Sequence, residues 1–143
     1  MLNYINETVH RIEGAFAWDV INEAISDDPN EYIKQSPWSG IDNFICKAFK
    51  AARAANPNAK LFYNDYNVLT MDGWRKTKAD KMFKLVQQLK NDDCGITGVG
   101  FQSHVTIHNE QDSSEEAVKA HMKRYADIGI EVHITELDIS CKD

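Results

Sequence analysis

The sequence predicts an α/β fold in which helices alternate with the strands of a parallel sheet. Apolar residues switch repeatedly between the 3.6-residue period of a helix and short continuous runs that are typical of buried strands. Turn-forming residues such as Gly, Pro, Asn and Asp separate these segments. The 143 residues are 43% hydrophobic and 27% charged, which is the composition of one globular domain. These observations favour helices packed against a parallel sheet.

The first half of the sequence predicts two helices with a strand between them. Residues 2–12 carry apolar side chains at helical spacing, and Gly14 is expected to end this helix. Residues 15–22 form a compact apolar run with β-branched and aromatic side chains, as in a buried strand. After the turn-rich residues 26–40, an apolar stripe over residues 41–52 predicts the second helix.

The second half predicts three further strands with helices between them. Strands are expected at residues 60–66, 97–104 and 131–136. Apolar residues at helical spacing over 74–89 predict a long helix. The sequence Ser-Ser-Glu-Glu at 113–116 resembles a capping box, which would open the last helix. Four strands separated by helices fit either an open doubly wound sheet or half of an eight-stranded barrel.

Charge and hydropathy disfavour two classes of partner. A net charge of -6 and a pI of about 5.3 do not suit nucleic-acid binding. No cluster of Lys and Arg suggests an anionic membrane surface, and no apolar run approaches the roughly 20 residues of a membrane helix. The sequence therefore predicts neither a nucleic-acid nor a membrane partner.

Polar residues collect where the predicted strands end. No glycine-rich phosphate loop follows the first strand, which argues against dinucleotide binding. In a barrel, the carboxyl ends of the strands form the active-site face. The residues at these ends are Asn22 and Glu23; Asn64, Asp65 and Tyr66; Gln102 and His104; Glu136 and Asp138.

Carboxylates from different strands at one mouth are what the hydrolysis of a glycosidic bond requires. One protonates the leaving oxygen while the other attacks or activates water. Strand alternation predicts that Glu136 and Asp138 share a face, as do Gln102 and His104. A single acidic residue at a strand end is usually a helix cap or a solvated loop residue. Polar residues at four strand ends favour a shared polar site instead.

A metal site is the second functional hypothesis. His133 has the opposite strand parity to Glu136, and His108 lies in a polar loop, so the spacing does not indicate a tight ligand set. His121 lies on the apolar stripe of a helix and is expected to be a core histidine. The candidate ligands are His104, His108, His133, Glu136 and Asp138.

The three cysteines form neither a zinc motif nor a disulfide framework at their spacing. Cys46 lies on a helical face and is expected to contribute to packing. Cys94 and Cys141 can pair in an oxidising compartment or stay free, because the sequence does not give their distance.

Four short segments at the predicted strand ends form a recognisable set. They are Trp-Asp-Val-Ile-Asn-Glu at 18–23, Asn-Asp-Tyr-Asn at 64–67, Phe-Gln-Ser-His at 101–104 and Ile-Thr-Glu-Leu-Asp at 134–138. The first and last of them resemble most directly the motifs of glycoside hydrolase family 10, whose members are mainly endo-β-1,4-xylanases. The middle two resemble the family's fifth-strand and sixth-strand motifs. The four motifs occur in the family's order, and the similarity covers almost the whole chain.

This resemblance implies a partial TIM-type β/α barrel whose strands correspond to the fourth through seventh of eight. Residues 1–143 would then be part of one catalytic domain. The resemblance also implies a retaining mechanism without a cofactor, in which Glu23 is the acid/base and Glu136 is the nucleophile. Their carboxyl groups are expected to be about 5–5.5 Å apart.

The resemblance further implies a substrate and the residues that contact it. The substrate would be xylan or a xylo-oligosaccharide, and the full-length enzyme would be secreted. Asn22 matches the residue that bonds the sugar 2-hydroxyl, and His104 with Asp138 matches the pair that orients the nucleophile. The remaining sugar-contacting positions are matched by Asn64, Tyr66 and Gln102.

The sequence does not contain the family's first three strands or its eighth strand. Two open sheet edges are therefore expected, with possible self-association through them. The isolated chain is expected to be poorly stable and nearly inactive. The alternative to an enzyme is an inactive or carbohydrate-binding half-barrel. The presence of both Glu23 and Glu136 favours the enzyme, because a binding module does not need them.

Overall fold

The computed structural model describes residues 1–12, 14–106 and 114–141 and confirms the alternation of helices and strands. Across these residues, no helix combines the length and the apolar character that crossing a membrane requires. The helices are α1 (Leu2–Arg11), α2 (Phe44–Ala55), α3 (Gly73–Asn91) and α4 (Glu115–Asp127). The strands are β1 (Ala17–Asn22), β2 (Lys60–Asp65), β3 (Gly98–Phe101), β4 (His104–Thr106), β5 (Glu131–Ile134) and β6 (Asp138–Ser140).

The main sheet has four parallel strands in the order β1-β2-β3-β5. A doubly wound sheet would reverse its strand order at a switch point. Here each strand lies beside the preceding strand of the same sheet, which is the arrangement of a β/α barrel. β4 and β6 leave the main sheet and pair with each other in parallel.

One face of the sheet packs against the helices and forms the core. Leu61 and Tyr63 of β2 and Val99 and Phe101 of β3 are fully buried on this face. The ring centroid of Phe101 lies 5.6 Å from that of Tyr125 on α4. Burial of these apolar surfaces is the main force that holds the helices on the sheet. The largest buried helical side chains in this cluster are Phe49, Met82, Val86 and Tyr125.

The opposite face of the sheet is crowded above β3. A Cβ atom added at Gly98 would lie 2.2 Å from a ring carbon of Phe62, and one added at Gly100 would lie 2.2 Å from Asn64 Oδ1. Because β3 presents glycines on this face, the side chains of β2 can lie directly over it. We call this face the inner face of the sheet. Over β3, it is filled by side chains of the neighbouring strands rather than by side chains of β3.

A bulge in β1 decides which of its residues face the interior. Asp19 is paired with Phe62 of β2, whereas Asn22 is paired with Asn64, so one extra residue lies between the two pairs on β1. In a regular strand, residues three apart point to opposite faces. The bulge instead puts Asp19 and Asn22 on the same inner face.

Two predicted strands are wrong at their C-terminal ends. The strand expected over 97–104 ends at Phe101, because Ser103 has a left-handed backbone (φ 63) that a strand cannot continue through. The strand expected over 131–136 ends at Ile134. Residues 102 and 104 therefore do not share one strand, nor do residues 136 and 138, so strand alternation does not decide which way their side chains face. Their placement depends on β4 and β6 instead.

Several element ends also differ by a few residues. β1 begins at Ala17 rather than at 15, and β2 ends at Asp65 rather than at 66. α2 begins at Phe44, since Asn43 takes a left-handed backbone (φ 52). α4 is capped by Ser114, whose hydroxyl accepts a bond from the Ala117 N–H at 3.3 Å. The expected capping box began at position 113, which lies outside the described residues.

Cys46 is buried in the core, as expected, but the expected pairing alternative of Cys94 with Cys141 is wrong. Cys46 on α2 and Cys94, which follows α3, form a disulfide. Cys141 is free and exposed. The two paired positions are 48 residues apart in sequence and meet only because α2 and the end of α3 pack side by side.

Candidate active site

The backbone ladder of the sheet continues past the strand ends and carries the candidate residues with it. The Glu23 N–H donates to the Asn64 carbonyl at 2.9 Å, and the Gln102 N–H donates to the Asp65 carbonyl at 3.0 Å. The Glu136 N–H donates to the Gln102 carbonyl at 3.2 Å. These bonds bring residues from four strand ends to one edge of the sheet.

A continuous chain of side-chain amides joins the two glutamates. Gln102 Nε2 donates to Glu23 Oε1 at 2.9 Å and to Asn22 Oδ1 at 3.3 Å. Asn64 Nδ2 donates to Asn22 Oδ1 at 3.0 Å and to Glu136 Oε1 at 2.8 Å. Each carboxylate thus accepts one amide hydrogen, and the two amides share one acceptor. This network fixes Glu23 and Glu136 relative to each other.

The network also decides which way the asparagine amides point. Thr135 donates its hydroxyl hydrogen to Asn64 Oδ1 at 2.8 Å, which turns the Asn64 NH₂ group toward Glu136. Asn22 Oδ1 accepts both of its bonds from neighbouring amides. The NH₂ group of Asn22 is therefore the side of this amide that can donate to a ligand.

Glu23 has an unusual backbone conformation. Its φ of 58 lies in the left-handed region, although its N–H still pairs with the sheet. For a residue other than glycine, such a conformation costs about 1–3 kcal/mol and persists where the surroundings enforce it. The turn ends the strand at this residue and aims the carboxylate at Gln102.

His104 lies between two carboxylates. Its Nδ1 is 2.8 Å from Asp138 Oδ2, and its Nε2 is 3.6 Å from Glu136 Oε2. The β4–β6 register pairs His104 directly with Asp138. The hydrogen bond to Asp138 raises the pKa of His104, and the negative charges of Asp138 and Glu136 add to this effect. The imidazole can therefore hold Glu136 from the side opposite Asn64.

The family model described as glycosyl hydrolase family 10 matches residues 1–143. The chain belongs to glycosyl hydrolase family 10. It is 41% identical over 140 residues to the β-1,4-xylanase of Dictyoglomus thermophilum, covering 96% of this chain and 38% of that protein. The predicted family is therefore confirmed.

Solved structures of xylanases share this fold. The xylanase XynB of Paenibacillus barcinonensis, complexed with a conduramine derivative, superposes with a TM-score of 0.85 at 34% identity, covering 97% of this chain and 40% of that one. Xylanase 10B of Thermotoga petrophila, in complex with xylobiose, superposes with a TM-score of 0.86 at 29% identity, covering 98% and 41%. The chain spans about two fifths of the length of these relatives. The predicted fold class, a partial TIM-type barrel, is confirmed.

In this family 10 chain, Tyr66 stands outside the amide network and has its own polar surroundings. Its hydroxyl donates to Asp27 Oδ2 and accepts from Lys34 Nζ at 3.1 Å. Lys78 Nζ lies 3.3 Å from the centroid of the Tyr66 ring. Neither Lys78 nor Asp27 was predicted from the sequence as a site residue. The signal for Lys78 was a lysine on the apolar stripe of α3, four residues before the buried Met82.

Asp19 is a further residue to which the sequence analysis gave no role. It lies on the inner face of the sheet because of the bulge in β1. Partial desolvation raises its pKa and the charge of Glu136 adds to the rise, while His133 opposes it. Asp19 thus shares the electrostatic environment of Glu136.

The metal hypothesis receives no support from the part of the chain that the structure describes. There, no group of three or more His, Cys, Asp and Glu side chains is arranged to hold a metal ion. His133 Nε2 lies 3.5 Å from Glu131 Oε2, on the inner face of β5. The candidate His108 lies outside the described residues.

Proposed function

We propose that this chain carries the catalytic centre of a retaining endo-β-1,4-xylanase, which hydrolyses internal β-1,4-xylosidic bonds in xylan. The observation that carries the proposal is the amide chain that links Glu23 to Glu136 through Gln102, Asn22 and Asn64. It holds two carboxylates from different strands at one edge of the sheet, as glycoside hydrolysis requires. Membership of family 10 and the names of the relatives support xylan or xylo-oligosaccharides as the substrate.

The proposed reaction has two displacements. In the first, a Glu136 oxygen attacks the anomeric carbon while Glu23 gives its proton to the departing glycosidic oxygen. This forms a xylosyl ester on Glu136 and leaves Glu23 ionised. In the second, Glu23 takes a proton from water, and the water oxygen attacks the anomeric carbon and releases Glu136. Glu23 is then protonated again, so the enzyme returns to its starting state.

The neighbouring residues have supporting roles in this proposal. Asn64 donates to one oxygen of Glu136, and His104 lies beside the other, so together they orient the nucleophile. Asp138 orients His104 through its Nδ1. In this proposal, the NH₂ group of Asn22 donates to a sugar 2-hydroxyl. The remaining proposed sugar contacts are Gln102, Asn64 and Tyr66.

The decisive experiment is the stereochemistry of the product. For this experiment, the chain would be joined to the barrel segments that flank the matching region of the Dictyoglomus thermophilum relative. We call this chimera the completed barrel. Direct attack requires carboxyl groups about 5–5.5 Å apart and retains configuration. Proton NMR should show the β-anomer first at newly released reducing ends. An initial α-anomer contradicts the retaining mechanism, and binding of xylo-oligosaccharides without hydrolysis favours a carbohydrate-binding role.

Substitutions of the two glutamates in the completed barrel test their separate roles. Glu136→Ala should lower turnover by roughly 10⁴-fold or more on every substrate, because the nucleophile is lost. Glu23→Ala should lose xylan hydrolysis but keep much of the glycosylation rate on an aryl xyloside, whose leaving group needs little protonation. Azide should accelerate deglycosylation of Glu23→Ala. The control is Glu7→Ala, which removes an exposed carboxylate of α1. Equal losses on both substrate types for both variants would contradict the division of roles.

A further inference from the structure

Lys78 is a charged side chain buried behind the candidate site. It projects from α3, its side chain is 1% exposed, and it lies against the fully buried Asp65 at the end of β2. Its Nζ is 3.0 Å from Asp65 Oδ1 and 2.8 Å from Asp27 Oδ1. At these distances each carboxylate makes a charge-assisted contact with the ammonium group. A buried ammonium group is tolerated only with such compensation.

The same ammonium group lies on the face of the Tyr66 ring. The distance from Lys78 Nζ to the ring centroid is 3.3 Å, which is a close cation–π contact. Because Lys78 occupies one face of the ring, a sugar would stack on the opposite face; Lys34 Nζ, which bonds the hydroxyl, lies farther away, 4.7 Å from the same centroid. The hydroxyl of Tyr66 is held separately by Asp27 and Lys34. The ring is thus fixed both at its face and at its hydroxyl.

Asp65, which holds Lys78, is itself fixed by hydrogen bonds. Its Oδ2 accepts from the Tyr63 hydroxyl at 2.6 Å, and its Oδ1 accepts from the Tyr66 N–H at 2.9 Å. The Tyr63 hydroxyl in turn accepts from the Ile25 N–H at 2.9 Å. Burial raises the pKa of Asp65, while the bonds from Tyr63 and the charge of Lys78 oppose the rise. The cation is therefore held in place by the end of β2.

We propose that Lys78 is a positioning residue for sugar binding, whose ammonium group, neutralised by Asp65 and Asp27, holds the Tyr66 ring in the orientation that stacks on a sugar unit. The inference rests on the proposed function, since a xylo-oligosaccharide is the ligand assigned to Tyr66. Lys78 acts through Tyr66 rather than by touching the substrate. A ring that is already fixed loses less conformational freedom on binding, which increases affinity.

Lys84 provides a matched control on the same helix. It is exposed, and its Nζ lies 5.9 Å from the centroid of a different aromatic ring, that of Tyr32. Lys84→Met therefore removes a lysine charge from α3 without removing the cation from the Tyr66 ring.

The first test measures sugar affinity in the completed barrel carrying Glu136→Gln, which prevents turnover during titration calorimetry. Lys78→Met should raise the Kd for xylo-oligosaccharides about tenfold, and Lys84→Met should change it less than about twofold. Adding Lys78→Met to Tyr66→Ala should raise the Kd no further, because the effect passes through the ring. An equal loss with and without Tyr66 would show a merely structural role and overturn the proposal.

The second test does not depend on sugar. In the completed barrel labelled with 3-fluorotyrosine, the fluorine signal of Tyr66 is assigned by its loss in Tyr66→Phe. Lys78→Met should shift this signal, and Lys84→Met should leave it in place. If the parent protein fails to bind xylo-oligosaccharides, the proposed function fails, while the fluorine signal still tests the contact. If the parent binds but neither the signal nor the Kd responds to Lys78→Met, the role of Lys78 is overturned.

A milder variant keeps the proposal testable if Lys78→Met does not fold. Asp27 is 42% exposed, so Asp27→Asn removes one charge beside Lys78 without exposing the core. It should shift the Tyr66 fluorine signal and raise the Kd about two- to fivefold, with the Kd effect absent in Tyr66→Ala. An unchanged signal and Kd in Asp27→Asn would count against the proposal.

Discussion

The two faces of the main sheet differ in what they pack against. On the helix side, Leu61, Tyr63 and Phe101 are fully buried by groups of the same chain. On the inner face, Lys60 pairs with Glu131 at 2.7 Å, and both side chains remain about half exposed. At β2 and β3 the helix side is thus a filled apolar core, whereas the inner face carries polar groups that still contact solvent. Stability therefore resides on the helix side, and the site depends on whatever completes the inner face.

The largest expected effect concerns that dependence. Within the described residues, β1 and β5 each pair on one side only, and Ile134, Leu137 and Ile139 are exposed. Groups held more loosely than about 0.5 Å lose catalytic efficiency. The 143-residue chain alone should therefore hydrolyse xylan roughly 100-fold or more slowly than the completed barrel and should self-associate. Sedimentation and hydrolysis would be measured on the same sample. A stable monomer with the turnover of the completed barrel would show that the site does not depend on completion of the inner face.

Substitutions on opposite faces would sharpen the comparison. Met82→Ala leaves a cavity in the helix-side core and should cost about 2–5 kcal/mol of unfolding free energy, enough to abolish cooperative unfolding of the chain alone. Lys60→Ala breaks a half-exposed ion pair on the inner face and should cost about 0–1 kcal/mol. Urea titration of the completed barrel, followed by circular dichroism, measures both. Similar losses for the two variants would show that the faces contribute equally.

The helix side should also carry the main pH dependence of stability near neutrality. His121 is buried, as the sequence predicted, and is 2.9 Å from the Val68 carbonyl through Nε2. Burial lowers its pKa to about 4, with the charge of Arg124 adding to the effect. A depressed pKa favours the neutral form, so its contribution is fully present above pH 6.5 and is lost as pH falls toward about 4, in total about 3 kcal/mol.

The check is urea titration of the completed barrel between pH 7 and pH 4. His121→Leu should be less stable at neutral pH but should lose less stability on acidification than the parent. His10→Gln removes an exposed histidine of α1 and should retain the pH dependence of the parent. If His121→Leu kept the same pH dependence of stability as the parent, that dependence would come from other groups.

The smallest expected effect is a shift in titration at the site. Asp138 is the main cause of the raised pKa of His104, so Asp138→Asn should lower that pKa. A raised histidine pKa means that the charged pair with Asp138 is present at low pH and is lost as pH rises through the folded pKa. NMR titration of the His104 ring protons, assigned with His104→Gln, measures the change. No movement in Asp138→Asn would mean that Glu136 dominates instead.

The sequence by itself determined the alternation of elements and the family. Helical and strand periods are local properties, so they were readable from spacing alone. The four motifs placed Glu23, Gln102 and Glu136 at strand ends, and the sheet brings them to one edge because its strands are parallel and in sequence order. That part of the candidate site needed no three-dimensional information beyond the fold class.

The tertiary structure alone decided which distant residues meet. Only the packed fold paired Cys46 with Cys94 and placed Lys78 on the ring of Tyr66. The bulge in β1 and the left-handed backbone at Ser103 also changed which side chains face the site, against the alternation expected of regular strands. The physical reason is that a contact between segments depends on the register and separation of packed elements. Spacing along the chain determines neither of these.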